Sequence, residues 1–253
     1  EPFSLTSHAK DGLNEGEQLT HLTKVLEEKV YALKSLITEK EKSHKLFSFK
    51  HLAMDMARLV CAPLIPILRI KRRTPEGEKY KAKIKGGAII AANHTSFIDP
   101  FVVGVTFWYR RLHFLVAEIV MGGKLRSTLL RGAGAIKIDR NAADIEAITK
   151  SVNKLKQGFL LAIFPQGQIN RDDNINQVKS GAVLMAIRSN TPIIPMYIAP
   201  RKKWYNTRTV IIGDPIYPRK ICTKAFPSAA DLEKITAVLS EELNRCKTSH
   251  QNP

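Results

Sequence analysis

The run Ala88-Ile89-Ile90-Ala91-Ala92-Asn93-His94-Thr95-Ser96-Phe97-Ile98-Asp99-Pro100 decides how the rest of the chain is read. Its first five residues are apolar without interruption and are entered from Gly86-Gly87, the pattern of a short buried strand. The polar residues that follow then lie at the strand's carboxyl end, where open α/β sheets bind their ligands. His94 is followed by Asp99 five residues on. An imidazole with a carboxylate in reach can be a general base with its orienter. The carboxylate fixes the tautomer and stabilises the imidazolium that forms on proton abstraction. A plainer reading stands beside this one. Asp99-Pro100 is also an ordinary helix start, with Asp as N-cap and Pro at the first helical position.

Outward from this run the chain alternates. Strand-like stretches fall at residues 88–92, 113–117, 135–138, 160–164, 193–198 and 209–212. Helix-like stretches fall at 100–109, 142–157 and 179–189, and 229–246 forms a closing helix. Such alternation predicts an α/β domain over residues 67–253, a mixed but largely parallel sheet covered by helices. Residues 1–18 read as a polar linker or disordered terminus. Residues 19–66 read as an appendage of two helices, one near 19–42 and one near 47–60. The second leads into the apolar run Leu59-Val60-Cys61-Ala62-Pro63-Leu64-Ile65-Pro66-Ile67-Leu68 and then Arg69, Lys71, Arg72 and Arg73. Apolar residues beside a basic cluster suit an interfacial membrane-docking element. A core helix followed by a solvated basic strand suits them equally. No run reaches the eighteen or so apolar residues that a membrane span needs. No secretory signal is read at the start, and what precedes Glu1 is left open.

The 253 residues carry a net charge of +17. That balance predicts a polyanionic partner: nucleic acid, an anionic membrane surface or a phosphorylated substrate. Aromatic residues are only 7% of the chain and do not interleave with the basic ones as base-stacking surfaces require, which disfavours nucleic acid. Cys61, Cys222 and Cys246 are odd in number and widely spaced, which argues against a disulfide framework or a zinc site and for a reducing compartment. The other histidines show no metal-ligand spacing.

Three further runs stand out. Gly132-Ala133-Gly134-Ala135-Ile136-Lys137-Ile138-Asp139-Arg140 is a glycine-marked turn, a short strand and a basic end, where Lys137 and Arg140 could meet a phosphate. It is not a dinucleotide fingerprint, because no G-x-G-x-x-G opens a helix. Phe164-Pro165-Gln166-Gly167-Gln168-Ile169-Asn170-Arg171 follows a very apolar strand. A Pro-x-Gly turn there brings backbone N–H groups to a strand end, where they can line an anion or oxyanion site, and Arg171 and Lys179 can add charge. Thr191-Pro192-Ile193-Ile194-Pro195-Met196-Tyr197 reads as a buried strand with proline punctuation.

Taken in order, the four runs resemble the glycerolipid acyltransferase family of the 1-acylglycerol-3-phosphate acyltransferase type. That family carries N-H-x-x-x-x-D, then G-x-I-x-I-D-R, then F-P-E-G-T, then a proline-bearing apolar strand. The resemblance covers roughly residues 67–215. The third run departs from it: Gln166 stands where the family usually has Glu, and Gln168 where it usually has Thr.

The resemblance implies acyl transfer from a thioester to the hydroxyl of a lysophospholipid, most simply 1-acylglycerol-3-phosphate giving phosphatidic acid. It implies His94 as general base and Asp99 as its partner. Lys137, Arg140, Arg171 and Lys179 would hold the acceptor phosphate, and Phe164, Pro165, Gln166 and Gly167 would line the substrate, with N–H groups around Gly167 at the oxyanion. Acyl-CoA or acyl-carrier protein would be the co-substrate, with no metal or redox cofactor. The enzyme would work at the cytoplasmic face of a membrane, peripheral or monotopic, with its oligomeric state open. The alternatives are a lipid-binding relative with little activity or another lyso-lipid acceptor, suggested by Gln166, and a basic nucleic-acid-binding protein.

Overall fold

The computed structural model describes residues 52, 55, 56, 69–139, 144–170, 172, 175, 178–201, 207–222 and 227–251. The chain divides into two units, Glu1–Ser48 and Phe49–Pro253, and every described residue lies in the second. The helix expected at 19–42 lies outside the described residues, as does all but a few positions of the one expected at 47–60. So do Arg140 and Arg171.

The described strands are β1 (Ile70–Arg73), β2 (Ala88–Ala92), β3 (Leu112–Ala117), β4 (Ala135–Ile138), β5 (Leu160–Ile163), β6 (Ile193–Ile198) and β7 (Arg208–Ile212). They form one sheet in the order β1-β7-β6-β2-β5-β3-β4. The five strands β6, β2, β5, β3 and β4 run parallel. β7 is antiparallel to β6, and β1 follows β7. The sheet is therefore mixed and largely parallel, as expected.

The described helical elements with defined bounds are α1 (Asp99–Thr106), α2 (Lys124–Gly132), α3 (Ile145–Lys156), α4 (Gly181–Ser189), α5 (Pro218–Ile221) and α6 (Ala229–Gln251). A 3-10 turn, Glu118–Met121, joins β3 to α2. The period-two rule for strands sorts the core into two layers. Ile89, Ala91, Leu161, Ile163, Ile193 and Tyr197 face α3, α4 and α6. Their neighbours Ala88, Ile90, Ala92, Leu160, Ala162, Ile194 and Met196 pack with Val102, Val103 and Phe107 at α1. Every residue of β2, β5 and β6 is buried, which is why these strands carry no polar alternation. Gly87 lets β2 enter this core: a Cβ there would sit 2.1 Å from the carbonyl oxygen of Leu155 on α3.

The boundaries differ from expectation for local reasons. α1 stops at Thr106, short of residue 109. Past it, the Arg110 guanidinium grips the carbonyls of Gly86 and Gly158, at 2.7 and 2.5 Å, which draws the chain into a turn. α3 starts at Ile145, because the Asp144 side chain caps it by accepting the Ala147 N–H at 2.8 Å. α6 runs past Cys246, its last buried residue, through solvated polar residues that apolar periodicity does not mark. The basic run after residue 69 forms β1, whose Lys71, Arg72 and Arg73 are exposed, and the apolar run before it lies outside the described residues. No helix among the described residues is long and apolar enough to cross a membrane.

Candidate active site

Helix α1 follows β2 onto one face of the sheet, while α4 follows β5 onto the other. β2 and β5 are neighbours, so the loops leaving their carboxyl ends part company between them. That is the switch point at which open α/β sheets form a ligand crevice. His94 leaves β2 there, and the turn beginning at Phe164 leaves β5 there.

Asp99 is fully buried at the first turn of α1. It is not the N-cap; that position is Ile98, whose side chain makes no capping bond. The Asp99 carboxylate turns back instead. Its Oδ2 accepts the N–H groups of Thr95 and Ser96, both at 2.7 Å, and lies 3.2 Å from Nδ1 of His94. The five-residue spacing thus lets the intervening loop wrap one carboxylate, which fixes the His94 ring from the Nδ1 side and leaves Nε2 outside that contact. Oδ1 of Asp99 accepts a hydrogen bond from Nη1 of Arg208 at 3.2 Å. Burial pulls the Arg208 guanidinium below its ordinary pKa, and the charge of Asp99 opposes that pull.

The β5 turn holds the same histidine from its other side. The Phe164 ring stacks on the His94 ring, with centroids 4.1 Å apart and planes 20° apart. Oε1 of Gln166 accepts the His94 backbone N–H at 3.3 Å, and Asn170 N–H donates to the His94 carbonyl at 2.7 Å. Gln166, which stands in place of the family's Glu, is nearly buried. The contact it makes needs an acceptor oxygen, and an amide supplies that as well as a carboxylate does. Asn93 adds a further clamp: its amide accepts the Ile198 N–H at 2.7 Å and donates to the Ile198 carbonyl at 3.2 Å, tying the end of β2 to the end of β6.

The remaining expected site residues fare differently. Gly167 adopts φ +75°, which only glycine takes without strain. Its N–H donates to the Phe164 carbonyl at 2.9 Å and closes the turn. That N–H is taken up within the turn. Pro165 is buried in the turn, and its carbonyl accepts the Lys179 N–H at 3.0 Å. The exposed Lys179 side chain lies along Gly167, with its ammonium 3.3 Å from where a Cβ would stand. Lys137 is on the edge strand β4, three strand spacings from β2, or roughly 14 Å. Its ammonium is bound to Glu118 at 2.5 Å, and that hydrogen bond raises its pKa. The structure therefore gathers His94, Asp99, Phe164, Pro165, Gln166, Gly167 and Lys179 but not Lys137. Arg208 was missed. Nothing in its local sequence marks it, because its link to Asp99 spans 109 residues. The Phe164 stack and the Gln166 bond were missed as contacts, though their residues were singled out.

Residues 71–199, half of the chain, match a family model described as Acyltransferase. The chain is 25% identical over 182 residues to a 1-acyl-sn-glycerol-3-phosphate acyltransferase of Bacillus subtilis, covering 70% of this chain and 89% of that one. It is 33% identical over 138 residues to a protein of the same description from Limnanthes douglasii, covering 51% of this chain and 48% of that relative. The chain thus spans about half the length of the plant relative. Among solved structures, the 1-acyl-sn-glycerophosphate acyltransferase of Thermotoga maritima superposes with a TM-score of 0.53 at 16% identity, covering 85% of this chain and 89% of that one. That likeness establishes the shared α/β fold.

Proposed function

Since the chain belongs to the acyltransferase family, we propose that it moves a fatty acyl group from a thioester to the hydroxyl of 1-acylglycerol-3-phosphate, giving phosphatidic acid. The observation that carries this reading is the His94–Asp99 pair at the switch point of the sheet, 3.2 Å apart and clamped by both flanking loops. The printed descriptions of the relatives supply the acceptor.

In this reading, neutral His94 takes the hydroxyl proton on Nε2 as the alcohol oxygen bonds to the thioester carbonyl carbon. Asp99 holds the ring and stabilises the imidazolium. The tetrahedral adduct collapses with cleavage of the carbon–sulfur bond. The departing sulfur recovers the proton from His94, leaving an ester and a free thiol. Lys179, beside the β5 turn, would meet an anionic group of the acceptor in this reading, and the family pattern adds Arg140 and Arg171 to that role. The donor is acyl-CoA or acyl-carrier protein, a co-substrate rather than a resident cofactor, and the steps above need only proton movement. The place of work is the cytoplasmic face of a membrane, held peripherally or monotopically through the net charge of +17.

The test is product analysis by mass spectrometry with both donor types and a panel of lyso-lipid acceptors. Phosphatidic acid from 1-acylglycerol-3-phosphate is the expected product. General-base catalysis is worth about 10²–10⁴ in rate, so His94→Ala should lose that much turnover while circular dichroism stays native. An unchanged rate removes His94 from the mechanism. Retained lipid binding without transfer by the unmodified chain favours the lipid-binding relative.

A further inference from the structure

Among the described helices of more than one turn, α2 is built unlike the others. None of its nine residues is buried. A helix this short does not hold itself together in water and normally survives by burying an apolar stripe. Here the stripe faces outward. Leu125 and Leu129 are 76% and 66% exposed, and they stand one turn apart on the same side. Ile119, in the 3-10 turn that leads into α2, is 87% exposed. The half-buried residues Ser127 and Leu130 are on the opposite side, toward the domain. Isolated exposed apolar residues are ordinary in soluble proteins, but several gathered on one unpacked element mark a contact surface.

The charges around this stripe say what it touches. Lys124, Arg126 and Arg131 are exposed on the same helix, and the one acidic residue between Ala117 and Ile138, Glu118 in the 3-10 turn, is paired with Lys137. With roughly 100° of turn per residue, Arg126 flanks the leucine side on one edge and Lys124 lies toward the other, while Arg131 stands further round, nearer the side of Ser127 and Leu130. Long cationic side chains on both margins of an apolar stripe can reach headgroup phosphates while the stripe enters the acyl region. A protein partner with acidic groups would not need the two leucines bare beside those cations.

The position in the sheet adds a consequence. The turn Glu118–Met121 leaves the carboxyl end of β3, which is separated from β2 only by β5. Across that interval, roughly 10 Å, the loop that carries His94 shows its own exposed apolar residues, Phe97 and Ile98. The two apolar clusters thus follow two parallel strands at the same edge of the sheet, with the β5 turn between them. We infer that the β3–β4 crossover, through Ile119, Leu125 and Leu129 with Lys124, Arg126 and Arg131, is a docking surface for an anionic lipid bilayer, and that it seats the carboxyl edge bearing His94 on that bilayer. The inference rests on the lipid-directed reading above and deepens it: the acceptor reaches the site from the membrane, not from solution.

The test uses the full chain and a reporter that sees the contact itself, whatever other segment also binds. The two native tryptophans are first silenced by Trp108→Phe and Trp204→Phe. Leu125→Trp in that background is mixed with vesicles of equal phosphatidylcholine and phosphatidylglycerol whose acyl chains carry bromine, and Glu233→Trp, at an exposed position of α6, serves as the control. Fluorescence from the indole at position 125 should shift to the blue and be quenched several-fold, while that from position 233 is unchanged. An unquenched signal from position 125 while flotation shows the chain on the vesicles overturns the inference, as does failure to bind the vesicles. A reporter at position 125 already shielded without lipid also overturns it, with sedimentation telling a second copy from another segment of the chain as the cover. In a second arm, the Leu125→Glu, Leu129→Glu double variant should keep turnover within about twofold on a short-chain thioester and monomeric lyso-lipid. Its turnover on acceptor presented in anionic vesicles should fall by roughly tenfold. Equal turnover on vesicles argues against the surface. Absence of transfer by the unmodified chain under every condition sinks the enzymatic reading and leaves the quenching result standing by itself.

Discussion

The smallest unit that explains this site is one buried carboxylate. Asp99 receives two backbone N–H groups, the His94 ring and the Arg208 guanidinium. Removing one partner of a buried ion pair strands the other charge, which costs about 3–5 kcal/mol. Arg208→Met should therefore lower stability in urea by an amount of that order. Its cycle with Asp99→Asn should show a coupling of about 1 kcal/mol or more. Additive losses would mean that the two side chains do not act on each other. Gln166 makes a second residue-scale case. Its oxygen receives the His94 N–H, a contact worth about 1 kcal/mol, so Gln166→Ala should cost roughly fivefold in kcat. Gln166→Glu keeps an acceptor oxygen in place and should retain most of the activity. A collapse in Gln166→Glu would show that the amide's donors matter as well.

At the level of elements, the site depends on where helices begin. α1 begins with Asp99 but is not capped by it, because that side chain is committed to the loop before it. α3 begins the ordinary way. Asp144 accepts the N–H groups of Ala147 and Asp139, and these bonds hold its carboxyl below the usual carboxylate range. A depressed carboxyl contributes stability that is present above its unfolded pKa of about 3.9 and is lost as pH falls through the lower folded value. Asp144→Ala should then cost about 1 kcal/mol at pH 7. The difference from the parent should shrink toward zero in acid, as read by urea unfolding at both pH values. A cost that persists in acid would point to lost packing instead. α2 carries the other lesson of this scale: Leu125 and Leu129 fit no core, and apolar periodicity finds helices by the face they bury.

Over the whole chain, the charge of +17 acts at long range and is screened by salt. Binding to phosphatidylglycerol vesicles should weaken steeply between 0.1 and 1 M salt, where the screening length falls from about 10 to about 3 Å. Flotation across that range checks it. Salt-independent binding would assign the attachment to apolar contact alone.

Apolar runs, their alternation with helical stretches and the spacing between His94 and Asp99 were legible along the chain, because each expresses a local rule: which face a strand buries, or how far a short loop can reach. The α/β class, six of the seven described strands and the His94–Asp99 pair follow from such rules. Arg208 at the carboxylate and Gln166 at the His94 backbone follow from none of them. Their contacts arise from the strand order, which brings β5 beside β2, and from the reversal of β7 against β6, which carries Arg208 to the carboxyl edge. Pairings between distant segments are settled by how the layers pack together, and no short window of residues records that outcome.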